Sequence, residues 1–194
     1  FRDAINITGK LCFASLLKYQ ASLQLTLLFQ EMGDKKKALM YKNEATKIKK
    51  SIIKTFKNKD GMLYASTETS AQADVWATSL AIHFDVLCGN NRLKAAKHLL
   101  QGYISGELSQ NGNIRHILKS DDFNENSSWE KSLVPKDTYQ NGAYWGTPAG
   151  WVCKSIAYVD QVAAQKLASE YIQDLREGDF RKGVDFGAPW ECFN

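Results

Sequence analysis

The residues best suited to chemistry fall in two short stretches. In Y-Q-N-G-A-Y-W-G-T-P-A-G-W (139–151), Tyr139, Tyr144, Trp145 and Trp151 offer flat apolar faces, and Gln140 and Asn141 offer hydrogen-bonding edges. A sugar presents the same pairing, C–H patches on the ring face and hydroxyls around it. The plain alternative is that Tyr144 and Trp151 anchor a loop rich in Gly and Pro onto the helix that follows. In A-P-W-E-C-F-N (188–194), Glu191 lies between Trp190 and Phe193, close to Pro189. Burial among apolar groups is what tunes a carboxyl for acid or base work. Gln72 and Asp74, in S-A-Q-A-D-V-W (70–76), open an apolar run. Either can bind hydroxyls, and Ser70 or Asp74 can equally cap the helix.

Other chemistries lack their residues. His83, His98 and His116 join no Ser/His/Asp or Cys/His pattern. Cys12, Cys88, Cys153 and Cys192 are scattered without metal-ligand spacing and read as free thiols. Asp121, Asp122 and Glu125 lack the alternating ligands and turn glycine of an EF-hand loop and read as solvated charge. There is no glycine-rich phosphate loop and no dinucleotide fingerprint, so neither metal nor cofactor is expected. The net charge of +4 comes largely from Lys35, Lys36, Lys37, Lys47, Lys49, Lys50 and Lys54. These read as a solvated helix face rather than a nucleic-acid patch, because base-stacking aromatics lie elsewhere. No run reaches the ~18 to 20 apolar residues of a membrane span. Asn6-Ile7-Thr8 and Asn126-Ser127-Ser128 match glycosylation acceptors, which carry meaning only in a eukaryotic secretory setting.

The elements that must position these residues are helical. Periodicity predicts six helices in three pairs: 11–32 with 34–57, 72–88 with 91–104, and 148–160 with 161–177. Gly33-Asp34 and Gly89-Asn90-Asn91 punctuate the first two pairs as stop and cap. Within each pair the first helix is apolar around most of its circumference and the second along one stripe. Leu16, Leu17, Leu27 and Leu28 of the first helix thus predict burial on several sides, whereas Ala38, Tyr41, Ala45, Ile48, Ile52 and Phe56 trace a single seam among lysines. An inner ring shielded by an outer ring is an α/α toroid, and its hairpins recur about every sixty to seventy-five residues, too widely for a tetratricopeptide-type solenoid. The long segments entering inner helices, 58–71 and 105–147, together with the tail 178–194, then emerge at one rim. That rim holds Gln72, Asp74, Trp129, Trp190, Glu191 and the aromatic stretch.

These residues carry a resemblance. W-G-T-P-A-G-W (145–151) resembles the trehalase signature W-D-x-P-x-G-W, and Y-Q-N-G-A-Y-W (139–145) is similar to the Y-Q-N-G segment of cellobiose-phosphorylase-like enzymes. The terminal W-E-C-F-N resembles the W-E-x-(W/Y)-N segment of α-L-rhamnosidases and the E-K-Y-D segment of trehalases. All belong to the six-hairpin glycosidases. The resemblance implies a twelve-helix (α/α)6 toroid of which 1–194 is one all-α domain, a fragment holding about half the helices. It implies Glu191 as the catalytic general base of an exo-acting, inverting glycoside hydrolase, with the general acid outside this chain. Gln140, Asn141, Tyr144, Trp145, Trp151, Trp190, Gln72 and Asp74 become substrate-binding candidates for an oligosaccharide or glycoside. A periplasmic or extracellular setting is favoured on the same ground. Gly146 stands where the trehalase signature has a sugar-contacting Asp, which disfavours trehalose.

Two other classes remain open: a noncatalytic sugar-binding or helical scaffold domain, and the toroids of terpene cyclases and lanthionine formers. The last two require an acidic initiating motif or Cys/His zinc ligands, and neither is present. An open half-ring also predicts self-association through exposed inner-helix surface.

Overall fold

The computed structural model describes residues 4–69, 72–121, 133–135, 137–183 and 190–194. Trp129, Ser70, Asp122, Glu125, Pro189 and the Asn126 acceptor site lie outside them. The chain is all-α. Its helices are α1 (Cys12–Glu31), α2 (Lys35–Phe56), α3 (Val75–His83), α4 (Gly89–Ile104), α5 (Ala149–Ala157) and α6 (Gln161–Glu177). A two-stranded antiparallel ladder, β1 (Ser109–Gln110) with β2 (Asn113–Ile114), lies between α4 and α5.

Local rules set the boundaries. Gly33 adopts φ +77° and ends α1, and the Asp34 carboxylate accepts the Lys37 N–H to start α2. Asp160 caps α6 in the same way, through Ala163 N–H. The second predicted hairpin is shorter than its periodicity suggests. α3 begins only after Asp74 and stops at Phe84, because Asp85 turns left-handed at φ +54° and sends the Val86 and Leu87 N–H groups back to the Ala81 carbonyl. α4 opens at Gly89 itself with no side-chain cap, two residues before the predicted start.

Two rows result. α1 packs on α3 and α3 on α5, while α2 packs on α1, α4 on both α3 and α5, and α6 on α5. One main apolar core draws on all six helices, with Leu16, Ile52, Trp76, Leu80, Leu99, Val152 and Leu167 at its centre. α2 follows its single stripe: Ala38, Ala45, Ile52 and Phe56 are buried, and Tyr41 and Ile48 half-buried. α3 is buried at every position from Val75 to Ile82. α1 departs from expectation. Only Cys12, Leu16, Tyr19, Ser22 and Thr26 are buried, and Leu17, Leu27 and Leu28 face solvent, because among the described residues α1 packs along the row against α3 alone.

Candidate functional site

The described parts of the long connections form one hydrogen-bonded layer across the N-terminal ends of α1 and α3 and the approach to α5. Cys12 N–H donates to the Ala65 carbonyl at 3.0 Å, Asp74 N–H to Leu63 at 2.8 Å and Val75 N–H to His116 at 2.9 Å. Ile114 and Trp145 exchange backbone bonds of 2.9 and 3.0 Å, so 144–145 extends the small ladder. Tyr144 and Phe193 do the same at 2.8 and 3.0 Å, and their rings stack 5.7 Å apart. The tail is thus stitched to the aromatic stretch by main-chain bonds.

Tyr139 is where the two stretches meet. Its hydroxyl donates to Glu191 Oε1 at 3.3 Å, and its ring lies 5.1 Å from that of Trp145. Its backbone sits at φ +41°, and Asp137 nearby at φ +60°, both in the left-handed region that non-glycine residues rarely occupy. Such conformations cost about 1–3 kcal/mol each and persist only where surrounding bonds over-determine them. Here the bonds are Asp137 N–H to the Asn141 carbonyl at 2.9 Å, Ala143 N–H to the Tyr139 carbonyl at 3.1 Å, and Trp145 Nε1–H to that same carbonyl at 3.3 Å.

The remaining candidates divide by burial. Trp145 is 5% exposed, set edge-on to Trp76 and His116 at 5.6 Å each, so its faces are packed. Tyr144 is buried too, with the Arg115 guanidinium 5.4 Å from its ring centre. Gln140 is buried and its Oε1 accepts the Ala4 N–H at 3.0 Å. Asn141 donates from Nδ2 to the Val134 carbonyl at 3.1 Å, and its buried Oδ1 has no hydrogen-bond partner among the described residues. Trp151 is half-buried and leans on Phe13, ring centres 6.2 Å apart. Glu191 is exposed and Trp190 is 47% exposed, which makes them the open part of the set. Asp74 is fully buried and its carboxylate takes the Ala77 N–H at 3.0 Å, the capping alternative.

Gln72 is buried and lines a different depression, a cleft of about 490 Å³ between α4 and residues 58–64, 72–73 and 118–121. Asp60, His98, Glu107 and Asp121 also line it. Burial raises the Asp121 carboxyl, whereas hydrogen bonding from Ser120, its side chain first and then its N–H 2.7 Å from Glu107 Oε2, holds the Glu107 carboxyl low. Among the described residues no three His, Cys, Asp or Glu side chains form a group able to hold a metal ion. No helix is long and apolar enough to cross a membrane among those residues.

Comparison with protein-family models, curated proteins and solved structures finds no match.

Several contributors were not legible beforehand. Tyr139 was a flat face in the sequence; its hydroxyl reaches Glu191 only because 144 pairs with 193. Arg115, with a side chain 3% exposed and 3.6 Å from Asp137, and His116, stacked 3.8 Å from Trp76, carried no motif. The departure at Gly146 has a packing correlate: a Cβ there would collide with the Tyr171 hydroxyl of α6, so a side chain at 146 requires the Tyr171 ring to shift.

Proposed function

We propose that this chain is part of a carbohydrate-active domain, a glycoside hydrolase in which Glu191 is the general base. The observation that carries the proposal is the convergence of Glu191 and Trp145 on Tyr139, with Trp190 open beside them. An inverting hydrolase needs a carboxylate held in one orientation so that a water bound to it meets the sugar from below. The Tyr139 hydroxyl supplies that hold, and Trp190 supplies an accessible face for a pyranose ring. In this reading Trp145, Tyr144, Gln140 and Asn141 support the site from beneath, and Tyr139, Trp190 and Glu191 touch substrate. The architecture proposed with it is part of an (α/α)6 toroid, supported by the inner row α1–α3–α5 and its outer companions. The exposed Trp190 face would bind a sugar ring whether or not an acid partner is present, which favours one further reading: a sugar-binding site that turns over nothing by itself.

Release of monosaccharide from a panel of aryl glycosides is the test. Glu191→Gln in the longest natural form of the protein is expected to lose at least about a hundredfold in kcat, as general-base removal does. Equal rates in both would remove Glu191 from the mechanism. Asp121→Asn serves as the control: if it loses the activity while Glu191→Gln keeps it, the chemistry lies in the 490 Å³ cleft instead. Sugar affinity by calorimetry without turnover would favour the binding-only reading.

A further inference from the structure

The turn joining α1 to α2 breaks two rules of a water-facing helical tip at once. Leu27, Leu28, Met32, Leu39 and Met40 are each more than half exposed within fourteen residues of chain. Beside them Lys35, Lys36 and Lys37 fill the first turn of α2, which contains no acidic residue. A helix N-terminus carries partial positive charge, so cations there oppose the dipole and cost the folded chain stability. Placing exposed leucines and methionines next to them adds nothing to the fold either.

The charge around the tip is lopsided. Between Cys12 and Phe56 there are nine lysines and three acidic residues, a balance of +6 against +4 for the whole chain. Two of those acids are already engaged, Asp34 with Lys37 at 3.3 Å and Glu44 with Lys18 at 2.8 Å. Among the described residues, Lys35, Lys36, Lys47, Lys49, Lys50 and Lys54 take part in no ion pair. The tip is also firmly built. The Phe29 and Tyr41 rings stack at 5.6 Å and 2° across the two helices, and Lys37 Nζ lies 5.0 Å from the Phe29 ring centre.

We propose that this turn docks the protein on an anionic phospholipid surface, with Met32, Leu39 and Met40 entering the interfacial zone and Lys35, Lys36 and Lys37 meeting headgroup phosphates. Apolar side chains flanked by lysines are what binds a peripheral protein to such a surface, the first by burial and the second by charge. A soluble polyanion would use the lysines and leave the leucines and methionines idle. α1, about 30 Å long at 1.5 Å per residue, separates this turn from the loop layer that begins at Cys12. Docking therefore leaves the Glu191 end facing away from the lipid.

The test is co-sedimentation of the full chain with vesicles of phosphatidylcholine alone and of phosphatidylcholine mixed with phosphatidylserine. Binding is expected to the mixed vesicles only and to weaken with salt. Lys35→Glu/Lys36→Glu/Lys37→Glu should lower partitioning at least about a hundredfold, since each lysine near such a surface contributes roughly fivefold. Its melting temperature should stay close to the parent's, because glutamates suit that helix end and offset the lost Lys37 contacts with Asp34 and Phe29. Met32→Ser/Leu39→Ser/Met40→Ser should lose the vesicles yet keep its retention on heparin. Three results overturn the proposal: equal sedimentation with both vesicle types, serine variants that bind like the parent, or a vesicle-indifferent protein whose dimer dissociates in the serine variants, which would assign the turn to a second copy.

Discussion

α3 and α1 belong to the same row and are written in the same apolar style, yet they end in different surroundings. α3 has α1 on one flank, α5 on the other and α4 behind, and Val75 through Ile82 are all buried. α1 has α3 on one flank and α2 behind, and its second flank keeps Leu17, Leu27 and Leu28 in solvent. An apolar circumference in sequence therefore states how much a helix can bury. How much it does bury depends on how many neighbours it has.

The sharpest way to test that difference is to make the same substitution in both helices. Leu80, at 1% exposure in α3, has no route to water. Leu80→Ala removes its transfer free energy and leaves a cavity that a close-packed centre fills poorly, so a loss of about 2–5 kcal/mol is expected from urea unfolding. A loss below about 1 kcal/mol would mean the row is looser than its burial indicates.

α5, the other end of the row, gives a chemical measure at a half-buried position, Cys153. Burial pushes the Cys153 thiol up from 9.0 to about 11. Since the thiolate is the nucleophile, alkylation near pH ~8 should run roughly a hundredfold slower in the native protein than in urea. The sign for stability follows: a thiol raised by folding contributes stability that is present below 9.0 and fades as pH rises towards about 11. Native Cys153 labelling as fast as the unfolded chain would show that α5 opens to solvent. Exposed Cys88 serves as the internal reference for reagent access.

A smaller effect separates the helix starts. Asp74 caps α3 in full burial, whereas Asp34 caps α2 where the tip is open. Asp74→Ala strands the Ala77 N–H away from water and should cost about 1–2 kcal/mol. Asp34→Ala leaves Lys37 N–H with solvent as its replacement partner and should cost less. Equal costs would show that water reaches the α3 start as readily as the tip.

Much of this was legible because local rules and tertiary packing agree. Gly33-Asp34 carried its turn and cap in two residues, and the stripe of α2 needed only a neighbour on one side. The α3 boundaries were missed because apolar periodicity runs on through Val86 and Leu87, which are buried by a left-handed turn at Asp85 rather than by a helix. At the candidate site the aromatic stretch and Glu191 were visible as types. The exchange of backbone bonds between Tyr144 and Phe193 was not, since pairing between residues so far apart leaves no periodic trace. The tyrosine that joins them, Tyr139, could be named as a face but not as a hydrogen-bond donor.

Leu17 supplies the counterpart to Leu80 and the smallest expected change. Its side chain is 47% exposed on the flank of α1 that has no row neighbour. In Leu17→Ala little apolar surface changes hands on unfolding, and alanine's higher helix propensity offsets part of that. Stability should stay within about 0.5 kcal/mol of the parent in dilute solution. The value of the measurement lies in its concentration dependence. If the parent gains stability as protein concentration rises and Leu17→Ala does not, then something covers that flank by mass action, and α1 and α3 differ in when their neighbours arrive rather than in how many they have.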